Sequence, residues 1–227
     1  MSQDKFSHRI KNSQKQVDEK LFAQRKKDIL SKRDKSHIGK WDEKIVGLCE
    51  KINKSENYYT TSSCSGRVII IADQDKKARD LFLKRYHDLI NFEQLKKDLE
   101  EVSQTSTLPP TYTKQGEKKL IKFKLDPCAL HVACASLEDA QKLLDKARLA
   151  GWKKSGIITV GKRYVVELNS TERLEFPIIN NGKVLVDNEF LKILVKRANE
   201  KLENTWKKIK ALEKTSSNTH FRAPKFI

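Results

Sequence analysis

The stretch Tyr58–Ile71, Y-Y-T-T-S-S-C-S-G-R-V-I-I-I, holds two runs rich in β-branched and aromatic residues around a short polar centre. Runs of this composition favour β-strands. The Ser65-Gly66 pair between them is typical of a tight turn. We therefore predict a β-hairpin whose tip carries the polar residues.

The predicted tip combines hydroxyls, a thiol and backbone N–H groups with a guanidinium. Its residues are Ser62, Ser63, Cys64, Ser65, Gly66 and Arg67. A concave polar turn can bind an anion, and an arginine can hold that anion through two parallel hydrogen bonds. The alternative is that serine and glycine are simply the residues of which turns are made. The spacing alone favours this second interpretation, because the string matches no general binding motif.

The charge of the chain points to a polyanionic partner. Its 227 residues carry a net charge of +17. Residues 1–40 hold 12 basic against 5 acidic side chains, and residues 196–227 hold 9 against 3. Nucleic acid is the leading partner for such basic ends. The alternative is that lysine-rich termini only keep the protein in solution.

The sequence shows no sign of a membrane-spanning, secreted or metal-binding protein. No apolar run approaches the roughly 18 residues of a membrane span, and the first residues lack the apolar core of a secretory signal. We therefore expect a cytoplasmic protein. No C-x-x-C pair is present, so neither a structural zinc site nor any other metal is expected. Cys49, Cys128 and Cys134 are predicted to be buried, whereas Cys64 should lie near solvent.

Hydrophobic periodicity predicts alternating helices and strands along the chain. Helices are expected over residues 14–33, from the N-cap Asp42, from the capping box at Ser136 to Gly151, and over Leu191–Leu212. Strands are expected over 121–125 and 128–134, as a hairpin over 157–168, and over 174–178. This order predicts an α+β fold.

Two segments of the chain look alike. A helix followed by serine and by a hairpin whose second strand begins after G-R or G-K-R occurs over 42–71 and again over 137–168. This echo predicts two similar α-β-β halves sharing one mixed sheet, with Arg67 and Arg163 in corresponding places. Chance similarity is the competing explanation. Residues 14–213 are predicted to form a single α/β domain between a basic tail, 1–13, and a flexible tail, 214–227.

The S-S-C-x-G-R string and four further segments resemble the tRNA wybutosine-synthesizing protein 3 family over about residues 20–205. The four segments are Asp34-Lys35-Ser36, Leu130-His131-Val132, Ser155-Gly156-Ile157 and Arg173–Pro177. The resemblance implies a methyltransferase that uses S-adenosylmethionine. Its expected substrate is a ring nitrogen of a tricyclic guanosine derivative beside the anticodon of phenylalanine tRNA.

Because of the resemblance, we interpret three residues as functional although each also has a simpler structural explanation. Asp34 and Ser36 otherwise look like turn formers, and His131 like a histidine satisfied within a core. Methyl transfer to a ring nitrogen needs a base for the N–H proton. Asp34 is the first candidate for this base and His131 the second, with Ser36 beside Asp34 in the expected catalytic loop.

The remaining expectations concern binding. Ser62 to Arg67 are expected to hold the carboxylate of the cofactor, the amino-acid side chain of the substrate or a phosphate, with Arg163 as a weaker candidate. The basic segments 11–35 and 196–214 should follow the tRNA backbone. The family order predicts a strand near 81–87 and then a helix from Asn91 to about Ser103. The adenosine site stays unplaced, because no G-x-G-x-x-G follows a strand and the fold is not expected to be a Rossmann fold.

Two rival functions belong to other classes. A non-catalytic RNA-binding protein would also use the basic ends, and a different small-molecule enzyme on the same fold would not need them. The methyltransferase hypothesis requires Asp34, Arg67 and His131 to converge on one cleft.

Overall fold

Hydrogen bonding sorts the strands into two antiparallel sheets. The computed structural model describes residues 18–32, 42–72, 81–104 and 120–215. In these ranges the helices are α1 (18–30), α2 (Glu43–Lys54), α3 (Phe92–Gln104), α4 (Leu137–Leu149) and α5 (Asn188–Thr215). The strands are β1 (Tyr58–Cys64), β2 (Arg67–Ala72), β3 (Leu81–Tyr86), β4 (Leu120–Asp126), β5 (Ala129–Cys134), β6 (Gly156–Thr159), β7 (Tyr164–Asn169), β8 (Leu174–Asn180) and β9 (Lys183–Val184).

Each sheet belongs to its own compact unit. The first unit comprises the described residues within Met1–Ser63, Ala129–Asn169 and Ile209–Ile227, and its sheet has the order β1-β5-β7-β6. The second unit comprises the described residues within Cys64–Cys128 and Ser170–Lys208, and its sheet has the order β3-β2-β4-β8-β9. The chain thus passes between the units several times. The expectation of one domain over 14–213 stays a prediction.

The hairpin predicted for residues 58–71 is wrong, although both of its strands exist. β1 pairs with β5 in the first sheet, and β2 pairs with β3 and β4 in the second. Ser65 and Gly66 are buried and connect the two sheets. Local composition predicts that strands form, but partners distant in sequence decide which strands pair. The apolar run of β2 is almost wholly buried, which suits a strand paired on both edges.

The single mixed sheet built from two similar halves is also wrong. β6 and β7 form the second predicted hairpin, whereas their supposed counterparts β1 and β2 lie in different sheets. Arg67 begins β2, and Arg163 precedes β7 of the other sheet. The echo is therefore a chance similarity of short patterns. The α+β class is confirmed, and the antiparallel sheets are not those of a Rossmann fold.

The first unit buries one face of β5 and β7. The register pairs Leu130 with Leu168 and Val132 with Val166, and all four side chains are fully buried. Helix α4 packs against β5, β6 and β7 and contributes a buried apolar stripe. It begins as predicted, because the hydroxyl of Ser136 accepts a hydrogen bond from the Asp139 N–H at 3.1 Å. The opposite face carries the polar side chains of His131 and Glu167 together with the smaller apolar residues Ala133 and Val165.

The second unit has its own apolar core. β4 alternates between buried and half-buried residues, as the sequence predicts. Its buried side chains pack with those of β2, α3 and α5, including Val68, Leu95, Phe123 and Leu194. The predicted start of α3 is confirmed, since Asn91 Oδ1 accepts a hydrogen bond from the Gln94 N–H at 2.7 Å.

A buried polar cluster lies beside this core. The Ser170 N–H donates to the Cys128 carbonyl at 3.0 Å, and the Cys128 N–H donates to Ser170 Oγ at 3.1 Å. Lys208 donates to the Glu172 carboxylate and, at 2.9 Å, to Thr171 Oγ1. Burial alone would raise the pKa of Glu172, but the hydrogen bond and charge of Lys208 hold it below the ordinary value.

The structure agrees with the predictions made for the cysteines. Cys49, Cys128 and Cys134 are buried, Cys64 is half-buried, and all four are free thiols. Among the described residues, no helix is long and apolar enough to cross a membrane.

Replacing Lys208 by methionine should destabilise the protein strongly at neutral pH. The change leaves the Glu172 carboxylate buried without its cation, which costs about 3–5 kcal/mol. The depressed pKa of Glu172 contributes stability above the unfolded-state pKa, and this is lost as the pH falls through the folded-state pKa. The difference between wild type and Lys208→Met should therefore shrink in acid. Guanidinium unfolding at several pH values measures this difference.

Lys210→Met is the matched control. Lys210 also pairs with a carboxylate, that of Glu213 at 3.0 Å, but its own side chain is 65% exposed. Its loss should change the free energy of unfolding by no more than about 0.5 kcal/mol. Equal changes in the free energy of unfolding for the two variants would contradict a stabilising role of the buried Lys208–Glu172 pair.

Candidate functional site

Three polar side chains form a hydrogen-bonded row across the first unit's sheet. Ser62 Oγ lies 2.9 Å from His131 Nδ1. His131 Nε2 lies 3.1 Å from Glu167 Oε1. The row therefore holds the imidazole of His131 at both ring nitrogens.

Strand register explains this row. His131 on β5 and Glu167 on β7 are directly opposite each other in the antiparallel pairing. Because neighbouring residues on a strand face opposite sides, the register that buries Leu130 and Leu168 places His131 and Glu167 together on the other side. On β1, Thr61 and Ser62 are both exposed, so buried and exposed residues do not alternate at the position that supplies the hydroxyl.

His131 is not a satisfied core histidine. Its side chain and that of Glu167 are each 35% exposed, so both remain open to a ligand. Glu167 is a residue that the sequence reasoning missed. Its strand was predicted, but nothing in the sequence showed that β7 pairs with β5 rather than only with β6. The carboxylate could therefore not be placed beside the histidine.

Arg67 lies in the second unit, where its guanidinium is only partly paired. Its Nε is buried and has no hydrogen-bond partner within the described residues, although Asp126 Oδ2 lies 3.5 Å away. The guanidinium stacks 5.0 Å from the centre of the Phe82 ring, and Arg85 covers the same ring at 4.4 Å. These contacts orient the guanidinium, whose side chain is 28% exposed.

The predicted anion-binding turn differs from a free hairpin tip. Ser65 and Gly66 are fully enclosed, whereas Ser63 and Cys64 are half-buried. Gly66 has a φ of +91°, in the left-handed region that favours glycine. A Cβ at this position would lie 3.4 Å from the Asp126 carbonyl and from Thr205 Cγ2. Anion binding by Ser62, Ser63, Cys64, Ser65 and Gly66 stays a prediction.

Arg163 is exposed beside an open cleft of the first unit. The cleft has a volume of about 1320 Å³ and lies between α1, the start of β1 and the turn after β6. Its lining mixes basic and acidic groups with the rings of Phe22, Tyr59 and Tyr164. Arg25 Nη1 donates to the Lys162 carbonyl at 3.3 Å on one side of it. Burial raises the pKa of the Cys134 thiol in this cleft to about 12, so Cys134 is not a reactive thiolate.

Two of the predicted catalytic residues, Asp34 and Ser36, lie outside the described residues. His131 belongs to the first unit and Arg67 to the second. The convergence of Asp34, Arg67 and His131 on one cleft therefore stays a prediction. The described ranges contain no cluster of histidine, cysteine or acidic side chains that would hold a metal.

Comparison with known protein families shows the family to which the chain belongs. The family model described as Methyltransferase TYW3 matches residues 24–217. The chain belongs to this family. The family matched is the one that the S-S-C-x-G-R string indicated, and its members are methyltransferases.

Individual relatives agree with this membership. A Thermococcus sibiricus protein named tRNA(Phe) 7-((3-amino-3-carboxypropyl)-4-demethylwyosine(37)-N(4))-methyltransferase is 35% identical over 86% of this chain and 94% of its own length. A tRNA wybutosine-synthesizing protein 3 homolog of Xenopus laevis is 37% identical over 84% of this chain and 72% of its own. The solved structure of the PH1069 protein from Pyrococcus horikoshii superposes with a TM-score of 0.73 at 30% identity. That superposition covers 86% of this chain and 94% of the other.

Replacing Gly66 by alanine should destabilise the protein. The left-handed φ of +91° makes a Cβ unfavourable at this position, at a cost of about 1–2 kcal/mol. Gly156→Ala is the matched control, because a Cβ at position 156 meets nothing within 4 Å. The control should be neutral or stabilising by up to about 1 kcal/mol. Thermal unfolding of both variants measures the effect. A Gly66→Ala variant as stable as the wild type would contradict the need for glycine at this position.

Proposed function

We propose that this chain transfers a methyl group from S-adenosylmethionine to the N4 ring nitrogen of the demethylwyosine derivative at position 37 of phenylalanine tRNA. The names of its relatives, which match over 94% and 79% of their own length, support this substrate. A net charge of +17 suits a polyanionic partner. A non-catalytic RNA-binding protein is not favoured, because the relatives in this family are named as methyltransferases.

The observation that carries the mechanism is the hydrogen-bonded row on the first unit's sheet. Transfer from a sulfonium needs no covalent nucleophile, but the accepting nitrogen must lose its proton. His131 is a base whose ring is already oriented by Ser62 and Glu167. Asp34 remains the other candidate for this base. When bound, the donor supplies an electrophilic methyl group, and the chain supplies orientation and removal of the proton.

Arg67 fits the carboxylate of an amino acid. Its Nε is buried 3.5 Å from Asp126 Oδ2, but the side chain remains 28% exposed and its guanidinium is oriented by stacking on Phe82. A planar fork of this kind binds a carboxylate through two hydrogen bonds. Both the methionyl part of the donor and the 3-amino-3-carboxypropyl group of the substrate carry this chemistry. Arg67 is therefore proposed to hold one of these two carboxylates.

The basic segments are proposed to supply affinity without sequence information. Several cations of α5 are partly neutralised on the helix itself, because Arg197 pairs with Glu200 at 2.9 Å and Lys210 with Glu213 at 3.0 Å. Arg197 nevertheless keeps 69% of its side chain exposed. Such groups can exchange an exposed carboxylate partner for a phosphate at little cost.

His131→Gln should abolish most of the methyl transfer while leaving tRNA binding intact. Loss of a general base costs about 10²–10⁴ in rate. His87→Gln, the same exchange in the second unit, is the control and should keep the wild-type rate. Mass spectrometry of precursor tRNA after a single turnover measures the rate. A fully active His131→Gln would exclude His131 as the base.

Arg67→Lys should weaken binding of one carboxylate ligand by about tenfold, because lysine keeps the charge but loses the planar fork. Calorimetry with S-adenosylmethionine tests the donor. Calorimetry with tRNA that carries or lacks the 3-amino-3-carboxypropyl group tests the substrate. Arg85→Lys changes the other guanidinium that lies over the Phe82 ring and is the matched control. Unchanged affinity in both titrations would reject carboxylate binding by Arg67.

A further inference from the structure

The imidazole of His131 is held between one partner that can only accept a hydrogen bond and one that can donate. An ionised carboxylate has no proton to give, so the 3.1 Å contact of Glu167 Oε1 requires an N–H on Nε2 of His131. In the neutral ring, Nδ1 then carries the lone pair. The hydroxyl of Ser62, 2.9 Å away, donates to it.

We propose that Glu167 is a positioning residue that keeps His131 ready to accept a proton at Nδ1 and stabilises the imidazolium formed there. This inference rests on the proposed function, in which His131 is the base. Glu167 acts through His131, whereas Ser62 contacts the ring nitrogen on the side away from Glu167. In this three-residue relay a proton moves from Ser62 to His131, and the carboxylate of Glu167 faces the positive charge that forms.

The relay moves a proton from the substrate to the ring. The accepting nitrogen gives its proton to Ser62 Oγ while the hydroxyl proton of Ser62 moves to His131 Nδ1. The electron pair of the broken N–H bond stays on the nitrogen, which forms the new bond to the methyl carbon. The bond between that carbon and sulfur breaks, and its electron pair remains on sulfur. Ser62 is again a hydroxyl, His131 is an imidazolium facing the Glu167 carboxylate, and solvent later takes the proton.

The strand backbone makes this arrangement rigid. His131 and Glu167 are direct cross-strand partners, within a register of six residue pairs that runs from Ala129 and Asn169 to Cys134 and Tyr164. The Oγ1 of Thr61 adds a longer hydrogen bond of 3.4 Å to the His131 carbonyl, beside the one that Ser62 makes to the ring. The imidazole is therefore oriented before any ligand binds, as an efficient base requires.

The test compares variants at position 167 under single-turnover conditions with saturating tRNA and donor. Glu167→Gln keeps an oxygen that can accept from Nε2 but removes the charge, and it should lower the rate constant about 10- to 100-fold. Glu167→Ala removes both and should lower it further. Neither should change the affinity for tRNA. Glu175→Gln is the matched control, because Glu175 is also a strand carboxylate facing a cation on the next strand, Lys122 at 3.5 Å.

Two further measurements separate positioning from other roles. In the His131→Gln background, Glu167→Gln should have no additional effect, because residues that act as one unit are not additive. Long-range ¹H–¹⁵N spectra at about pH 9, where an ordinary imidazole is neutral, should show the proton of the wild-type His131 ring on Nε2. The His131→Gln variant assigns that signal.

Each result has a separate meaning. Wild-type protein that makes no methylated tRNA contradicts the proposed function, and a fully active His131→Gln contradicts the base on which this inference rests. An inactive His131→Gln with a fully active Glu167→Ala overturns the positioning role alone. A proton found on Nδ1, or a further loss from Glu167→Gln in the His131→Gln background, also overturns it.

Discussion

The register between β5 and β7 is the constraint on which the rest of the site depends. Six cross-strand pairs bury Leu130, Val132, Val166 and Leu168 on one face and leave His131 opposite Glu167 on the other. A slip of one residue would move the buried set into solvent and separate the imidazole from its carboxylate. The hydrophobic pattern of the sheet therefore also brings this imidazole and this carboxylate together.

Magnitudes explain why the contact of His131 with Glu167 and the ion pair of Lys208 with Glu172 have different consequences. The pair between His131 and Glu167 is one-third exposed and contributes no more than about 1 kcal/mol to folding. A change of about 1.4 kcal/mol in a transition state is nevertheless a tenfold change in rate. The pair between Lys208 and Glu172 is much less exposed, so its disruption lowers the free energy of unfolding.

Much of the fold is predictable from the sequence, because helices and strands depend on local patterns. The Ser136 cap, the Asn91 cap and the alternation along β4 are as expected. Strand pairing is not local, and the same polar pair Ser65-Gly66 suits a hairpin turn and a connection between sheets equally well. His131 was singled out only by resemblance to a family, since an isolated histidine in an apolar run has no chemical signature. Glu167 could be recognised only after β7 was placed beside β5.

The most direct measurement is a crystal structure of the protein with S-adenosylhomocysteine and the modified anticodon stem-loop of precursor phenylalanine tRNA. The accepting ring nitrogen should lie within hydrogen-bond distance of Ser62 Oγ, with His131 Nδ1 on the far side of that hydroxyl. A ring nitrogen that contacts neither Ser62 nor His131 would contradict proton transfer through Ser62 to His131.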